Sequence, residues 1–577
     1  MMKNITKISL ALLSGLMIAA SWSFNGFTAL IFIAFVPLLF LQDKALSQRD
    51  NETTRQQGKS NIFLLSFLAF LVWNALTTWW VWNSTPAGSI AMILLNSAFM
   101  ATTFWLYHFT RTKVFHNKGG FFLLILFFLA FENLHLNWQL NWPWLNIGNV
   151  FARNHTWIQW YEFTGVAGGT IWALLANILA YKSLRAIGCG RQTSVPEPVE
   201  GTIGISTSPV TDLKRDNRFS QFLIFLTIVL VPIIVSKIMY HTYEEKGEEV
   251  EVVVVQPNID PYKEEFTLSS AEILDRNFSV AEPLLTEKTR FVVSPESSIH
   301  ENIWLEKINL YYSIKESKLF SKNNEITYIV GASTLGMASD KNDFAARKFY
   351  DVDEYYYSYN TVLSINDTAD IQLHHKSRLT PGVEIMPSWW FMRPLRNLAI
   401  DLGGTVGTLK SEDQATVFTY ERQQDNEAIV QSSVAKSQWS KEYKVAPLIC
   451  YESVFGGYVT DFVRNGANMI FVITNDGWWG DTPGHRQHFD MSKLRAIENR
   501  RGVARSANTG ISGFINQRGD VVERTDYWEP TALRNTLNVN DEMTFYSHYG
   551  DYLYRAASFV AMMVLCFSIV RTISRKR

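Results

Sequence analysis

The sequence predicts a multi-pass α-helical membrane bundle joined to an extramembrane α/β domain. Three observations lead there. Long apolar runs crowd the first 240 residues and return once near the end. Lys and Arg gather in alternate loops between those runs, and short β-branched runs separated by amphipathic stretches fill the segment from 241 to 553.

The runs come in order as Ile5 to Ala20, Phe27 to Leu41, Asn61 to Val81, Ile90 to Phe109, Gly120 to Phe131, Phe163 to Tyr181, Phe219 to Tyr240 and Ala556 to Val570. A hydrocarbon core of about 30 Å needs about 20 apolar residues in a helix. The expected division is therefore a bundle over 1–240 with about seven helices, an outer domain over 241–553, and a closing helix with a basic tail over 554–577. The fifth run is short. The first has two readings, a retained helix or a signal peptide, because it starts basic and ends on small residues at Ala19 and Ala20.

Positive loop charge stays on the cytoplasmic side during insertion. Lys3, Lys7, Lys44, Arg49, Arg55, Lys59, Arg111, Lys113, Lys118, Lys182, Arg185, Arg191, Lys214, Arg215, Arg218 and the closing Arg571 to Arg577 all fall on one side. The loops Ser21 to Gly26 and Trp82 to Gly88 carry no Lys or Arg, and Glu132 to Tyr161 carries only Arg153. Both termini are thus expected in the cytoplasm and the 241–553 domain outside. The stretch Thr193 to Asp216, within a region of about 190–218, reads as a flexible linker. Trp138, Trp142, Trp144, Trp157 and Trp160 crowd an outer loop, as interfacial anchors or as a substrate groove.

The 577 residues are 47% hydrophobic and 19% charged, with a formal net charge of -1. That balance offers no basic face for nucleic acid and favours the bilayer as partner. Three cysteines without paired or metal-type spacing exclude a disulfide framework. Adjacent His374 and His375 would point apart in a strand, and no third ligand of suitable spacing accompanies His485 and His488, so no metal is expected.

Strands are expected at Val250 to Gln256, Arg290 to Ser294, Ile326 to Gly331, Thr361 to Ile365, Lys444 to Cys450 and Met469 to Thr474. Chemistry in α/β domains sits at strand ends. Cys450 closes one such run and is read either as an inert buried cysteine or as a nucleophile needing a base or positive charge. Glu296 follows Phe291 to Val293 and is either a partly buried general base or a solvated loop residue. Lys376 is either a surface lysine or a cation for a tetrahedral oxyanion.

Taken together, Val293-Ser-Pro-Glu-Ser-Ser298, Gly331-Ala-Ser-Thr334, Tyr359-Asn-Thr361, Lys376 with Pro381 and Glu384, Ile449-Cys-Tyr-Glu-Ser453, Thr474-Asn-Asp-Gly-Trp-Trp-Gly480, Gln487-His488, Arg495-Ala-Ile-Glu498 and Ala507-Asn-Thr-Gly510 stand in the order found in apolipoprotein N-acyltransferases. The chain resembles that family, of the nitrilase-like carbon-nitrogen hydrolase superfamily, over nearly its whole length. The resemblance implies a nitrilase-like α-β-β-α sandwich for the outer domain. It also implies a Glu, Lys, Cys triad at Glu296, Lys376 and Cys450, with Glu384, Tyr451 and Glu452 as supporting or substrate-positioning neighbours. The implied reaction moves an acyl chain from a phospholipid through a cysteine thioester to the N-terminal amine of a diacylated apolipoprotein, with ping-pong kinetics and no cofactor, at a bacterial inner membrane with the reacting domain periplasmic.

The chain departs from the family in two places. Leu379 to Glu384 reads Leu-Thr-Pro-Gly-Val-Glu where the family more often has Val-Pro-Phe-Gly-Glu. After Gln256 a functional Trp is often found, and here Tyr262 and Phe266 are the nearby aromatics. Gln423 to Lys441 reads as a polar insertion. Trp389 with Trp390, and Trp478 with Trp479, are read either as a lipid-facing lid or as a packed corner. Two other functions use the same residues: a membrane-tethered amidase or nitrilase acting on a small amide, and a catalytically dead binding module on the bundle.

Overall fold

The computed structural model describes residues 4–23, 26–47, 61–115, 119–188, 210–265, 267–368, 370–385, 408–421 and 442–574. Among these, six helices are long and apolar enough to cross a membrane, from Asn4–Trp22 to Tyr552–Ser574, and the shorter apolar helices Thr28–Asp43 and Phe122–Asn137 accompany them. The Ser220–Thr242 span turns Leu223, Leu230, Ile234 and Ile238 outward, a continuous apolar surface that lipid solvates and water does not. Its helix already begins at Val210, inside the stretch read as a linker. No Gly or Pro interrupts 210–220, so a helix nucleated in the apolar run extends upstream at low cost.

The second apolar run does not form one continuous helix. Thr28–Phe32 is a short 3-10 turn, and an α-helix starts at Val36. The break frees backbone groups that a bilayer cannot satisfy. Buried Asn177 meets that need by accepting from the Phe35 N–H at 2.7 Å and donating to Ile31 O at 2.6 Å, while Ser14 donates to Ala34 O. At the other end of the sequence, Tyr552–Ser574 runs beside Phe122–Asn137, joined by Asn133 donating to Ser558 at 2.9 Å.

Residues 249–538 build two sheets face to face. In the first, Glu249–Gln256 lies between Thr531–Asn538 and Thr289–Val293, followed by Thr327–Met337 and Tyr355–Ile365. In the second, Phe418–Glu421, Glu442–Ile449, Met469–Thr474, Val503–Ala507, Gly513–Ile515 and Val521–Arg524 follow in spatial order. Val250, Val252, Val254 and Phe291 interlock with Val445, Ile449, Phe471 and Ile473 between the sheets. Val253 and Val255 face the other way, under the helices Ser270–Ala281 and Tyr312–Asn324, so both faces of that strand are apolar. Gly456–Arg464 and Pro483–Asn499 cover the second sheet, completing the α-β-β-α sandwich of a nitrilase-like domain.

The helices on the second sheet share one apolar core with the bundle. Polar clamps fix that joint: Arg500 reaches Glu162 and Gln159, His155 and Tyr240 both bond Asp520, and Asn83 donates to Trp479 O. Gly165 sits at φ +58 against Tyr546, where a Cβ would come within 2.3 Å of the ring. Only glycine suits both the conformation and the space.

Candidate active site

Glu296 leaves the strand Thr289–Val293 at its C-terminal end. The next residue, Ser297, holds φ 61, a costly conformation for a side-chain residue. Gly331 lets the neighbouring strand pass this turn, since a Cβ there would come within 2.6 Å of Glu296 Cα. Lys376 follows the strand Gln372–His375, absent from the sequence expectation, in which His374 and His375 do point apart: His374 to Glu452, His375 to Thr361. Cys450 directly follows Glu442–Ile449 with φ 48, at the start of a tight 3-10 turn. Strand ends of both sheets thus converge on one place.

Lys376 is 2% exposed, with Nζ 3.1 Å from Glu296 Oε1 and 2.7 Å from Glu384 Oε1. Asn360 donates to the same two oxygens, at 2.7 and 3.3 Å, and the Asn475 backbone N–H donates to Glu296 Oε2. Burial works to deprotonate the lysine, but the two carboxylates hold its proton affinity well above the ordinary value. Despite its departure from the family pattern, the Leu379 to Glu384 segment delivers its carboxylate: Glu384 N–H bonds Thr380 O, and the Thr380 N–H returns a bond to Glu384 Oε2.

The Cys450 thiol is pushed well above its usual value by burial and by the Glu296 charge, with Lys376 opposing. It rests as a neutral thiol and needs a base to become a nucleophile. Glu452, fully buried, ties the turn to the lysine strand. It accepts from Ile449 N–H at 2.8 Å and Ser377 N–H at 2.6 Å. Burial disfavours its charge, yet His374 and these N–H groups hold the carboxyl below its ordinary value. Tyr451 reaches the bundle, donating to Asn141 O at 3.1 Å and stacking on Trp142 at 6.3 Å.

Cys450, Asp476 and His488 present ligand atoms within 4.8 Å of one another. His485 and His488 lacked a third ligand in the sequence, and the fold supplies two of other types to His488 alone. Arg505 already occupies this corner, 2.6 Å from Asp476 Oδ2 and 2.9 Å from His488 Nδ1. Its guanidinium supplies the positive charge that a metal would bring and holds Asp476 well below the usual carboxylate range against burial.

Trp479 packs against Trp80, Trp144 and His488, and Trp478 meets Tyr262, whose hydroxyl donates to Trp478 O. Trp144 donates to Gln487. Trp142 and Trp144 of the outer loop therefore line the seam between bundle and sandwich, while Trp138 and Trp160 pack within the bundle. Trp389 and Trp390 of the expected lid, Phe266, and the insertion over 423–441 lie outside the described residues.

The sequence expectation passed over Glu265, although Asn475 donates to its Oε2 at 2.8 Å. Burial, opposed by that bond and helped by the Glu296 charge, raises its carboxyl to about 8. The proton it keeps when folded contributes stability that is full below the ordinary value of 4.5 and is lost as pH rises, fully once pH passes about 8. Glu265→Gln should therefore show a smaller drop in melting temperature between about pH 6 and about pH 9 than the parent chain.

The description "Apolipoprotein N-acyltransferase N-terminal domain" matches residues 14–179, and "Carbon-nitrogen hydrolase" matches 320–542. The apolipoprotein N-acyltransferase of Chlorobaculum tepidum is 25% identical over 574 residues, covering 97% of this chain and 96% of that protein. That of Geobacter metallireducens is 24% identical, covering 94% and 91%. The chain belongs to the apolipoprotein N-acyltransferase family. Among solved structures, an amidase from Nesterenkonia sp. is 13% identical, with a TM-score of 0.34, over 54% of this chain and 97% of that one. For an apolipoprotein N-acyltransferase, the arrangement joins a thiol, two carboxylates and a buried ammonium beside a membrane seam.

Proposed function

We propose that this acyltransferase N-acylates lipoproteins, taking the acyl chain from a phospholipid through a thioester on Cys450. The observation that carries this reading is the seat of the nucleophile's turn. Tyr451 next to Cys450 is bonded to the outer loop of the bundle and stacked on its Trp142, so the reacting atom sits where the sandwich meets the membrane helices. A soluble amide needs no such seam.

Glu296 takes the thiol proton, and the thiolate attacks the ester carbonyl. Lys376 faces the charge of the tetrahedral oxyanion, and the lysophospholipid leaves as the proton returns to its alkoxide. The α-amine of the diacylglyceryl-cysteine then attacks the thioester, Glu296 accepts its proton, and Cys450 is released as the amide forms. The Lys and Arg asymmetry of the loops favours cytoplasmic termini and a periplasmic sandwich.

The test is intact mass of the detergent-solubilised protein after incubation with phospholipid. A hydroxylamine-sensitive acyl gain, discharged by a diacylated lipopeptide, is expected, as are parallel initial-rate lines when both substrates vary. An adduct that discharges only to water, or intersecting lines, defeats the scheme.

A further inference from the structure

The first substrate in this scheme carries a phosphodiester, and the second, a diacylglyceryl-cysteine, carries none. A site that accepts both acylated molecules needs a cation for the first alone. Arg378 lies two residues past Lys376. Its backbone N–H points to Glu452 Oε1 at 3.4 Å, the carboxylate that also holds the cysteine turn. Its guanidinium carbon lies 4.8 Å over the Tyr458 ring and 5.8 Å from the Phe455 ring, and Phe455 in turn packs on Tyr451 at 5.1 Å. The group is therefore on the Tyr451 side of the site, toward the bundle.

Three other arginines of this domain are neutralised in place, Arg495 by Glu498, Arg500 by Glu162 and Arg505 by Asp476, and the buried Arg501 is held by the backbone carbonyls of Ala467 and Glu542. Arg378 has no such partner among the described residues, and its shielded Nε meets no acceptor. A half-buried guanidinium spread on aromatic faces and lacking an anion is a poor stability device. It presents the planar donor fork that suits a phosphate.

We propose that Arg378 binds the phosphodiester of the acyl donor and so distinguishes donor from acceptor. This rests on the phospholipid reading above. In a double-displacement reaction, kcat/KM for each substrate reports its own half-reaction, so the two are separable in one variant.

With purified full-length protein in detergent, Arg378→Gln should lower kcat/KM for phosphatidylethanolamine by about ten- to hundredfold while that for the lipopeptide stays within about twofold. Arg378→Lys, which keeps the charge and loses the fork, should recover part of the loss and serves alone if the Gln variant does not fold. Soluble glycerophosphoethanolamine should slow adduct formation in the parent chain more than inorganic phosphate does. Equal losses on both substrates, no loss on either, or equal competition by inorganic phosphate overturns the proposal with the thioester scheme intact. Absence of any phospholipid-derived adduct in the parent chain overturns both.

Discussion

Cys450→Ala is expected to abolish acyl transfer, a fall of about ten-thousandfold or more to background, and to leave the folded state within about 1 kcal/mol of the parent. The two halves of that expectation have different causes. The thiol is the atom that bonds to the acyl group, and among the described residues no other cysteine is near: Cys566 sits exposed on the closing membrane helix. Stability is spared because the resting thiol is neutral, so no buried charge loses its partner. Ala also meets the same backbone demand as Cys at φ 48, since both carry only a Cβ at the branch. Intact mass should show no hydroxylamine-sensitive gain, and thermal unfolding should superimpose on the parent. A residual adduct in this variant would move the nucleophile elsewhere.

The same contrast explains what was legible in the sequence. Val250 to Gln256 and Met469 to Thr474 announced themselves because strands apolar on both faces read as continuous β-branched runs. Cys450 and Glu296 were visible as polar residues ending such runs. The strands Gln372–His375, Val503–Ala507 and Thr531–Asn538 were not anticipated, because their polar residues are satisfied by partners far along the chain: His375 by Thr361, Arg505 by Asp476, Ser506 by Val255 O. Glu265 has the surroundings of a solvated residue in the sequence, Lys263 and Glu264 beside it, and only tertiary packing buries it against Asn475. Asn177 was hidden in the same way, one polar residue in an apolar run whose use is the broken segment across from it. The outer-loop tryptophans were read as anchors or groove, and the seam that Trp142 and Trp144 line depends on Trp80 and Trp479 from two other parts of the chain.

Lys376→Met is expected to fail in both respects, losing activity and stability together. The ammonium bridges Glu296 and Glu384 at 3.1 and 2.7 Å, with all three side chains largely out of water. Met keeps the chain's bulk and removes the charge, leaving two carboxyls that share Asn360 as donor and have no cation between them. Breaking a buried pair by deleting one partner costs about 3 to 5 kcal/mol. One carboxyl should then take up a proton to relieve the repulsion, so the stability deficit should shrink as pH falls through the carboxylate range. In the reaction, the lost cation removes stabilisation from the oxyanion, about a hundred- to thousandfold. A Glu296 that has become protonated can no longer accept the thiol proton, which adds to that loss. Lys376→Arg should not rescue, because a planar fork cannot place one nitrogen on both oxygens in that space. Thermal unfolding across pH beside initial acyl-transfer rates reads both effects. A variant that melts with the parent and is merely slower would show that Lys376 is not the counter-charge holding the two carboxylates together.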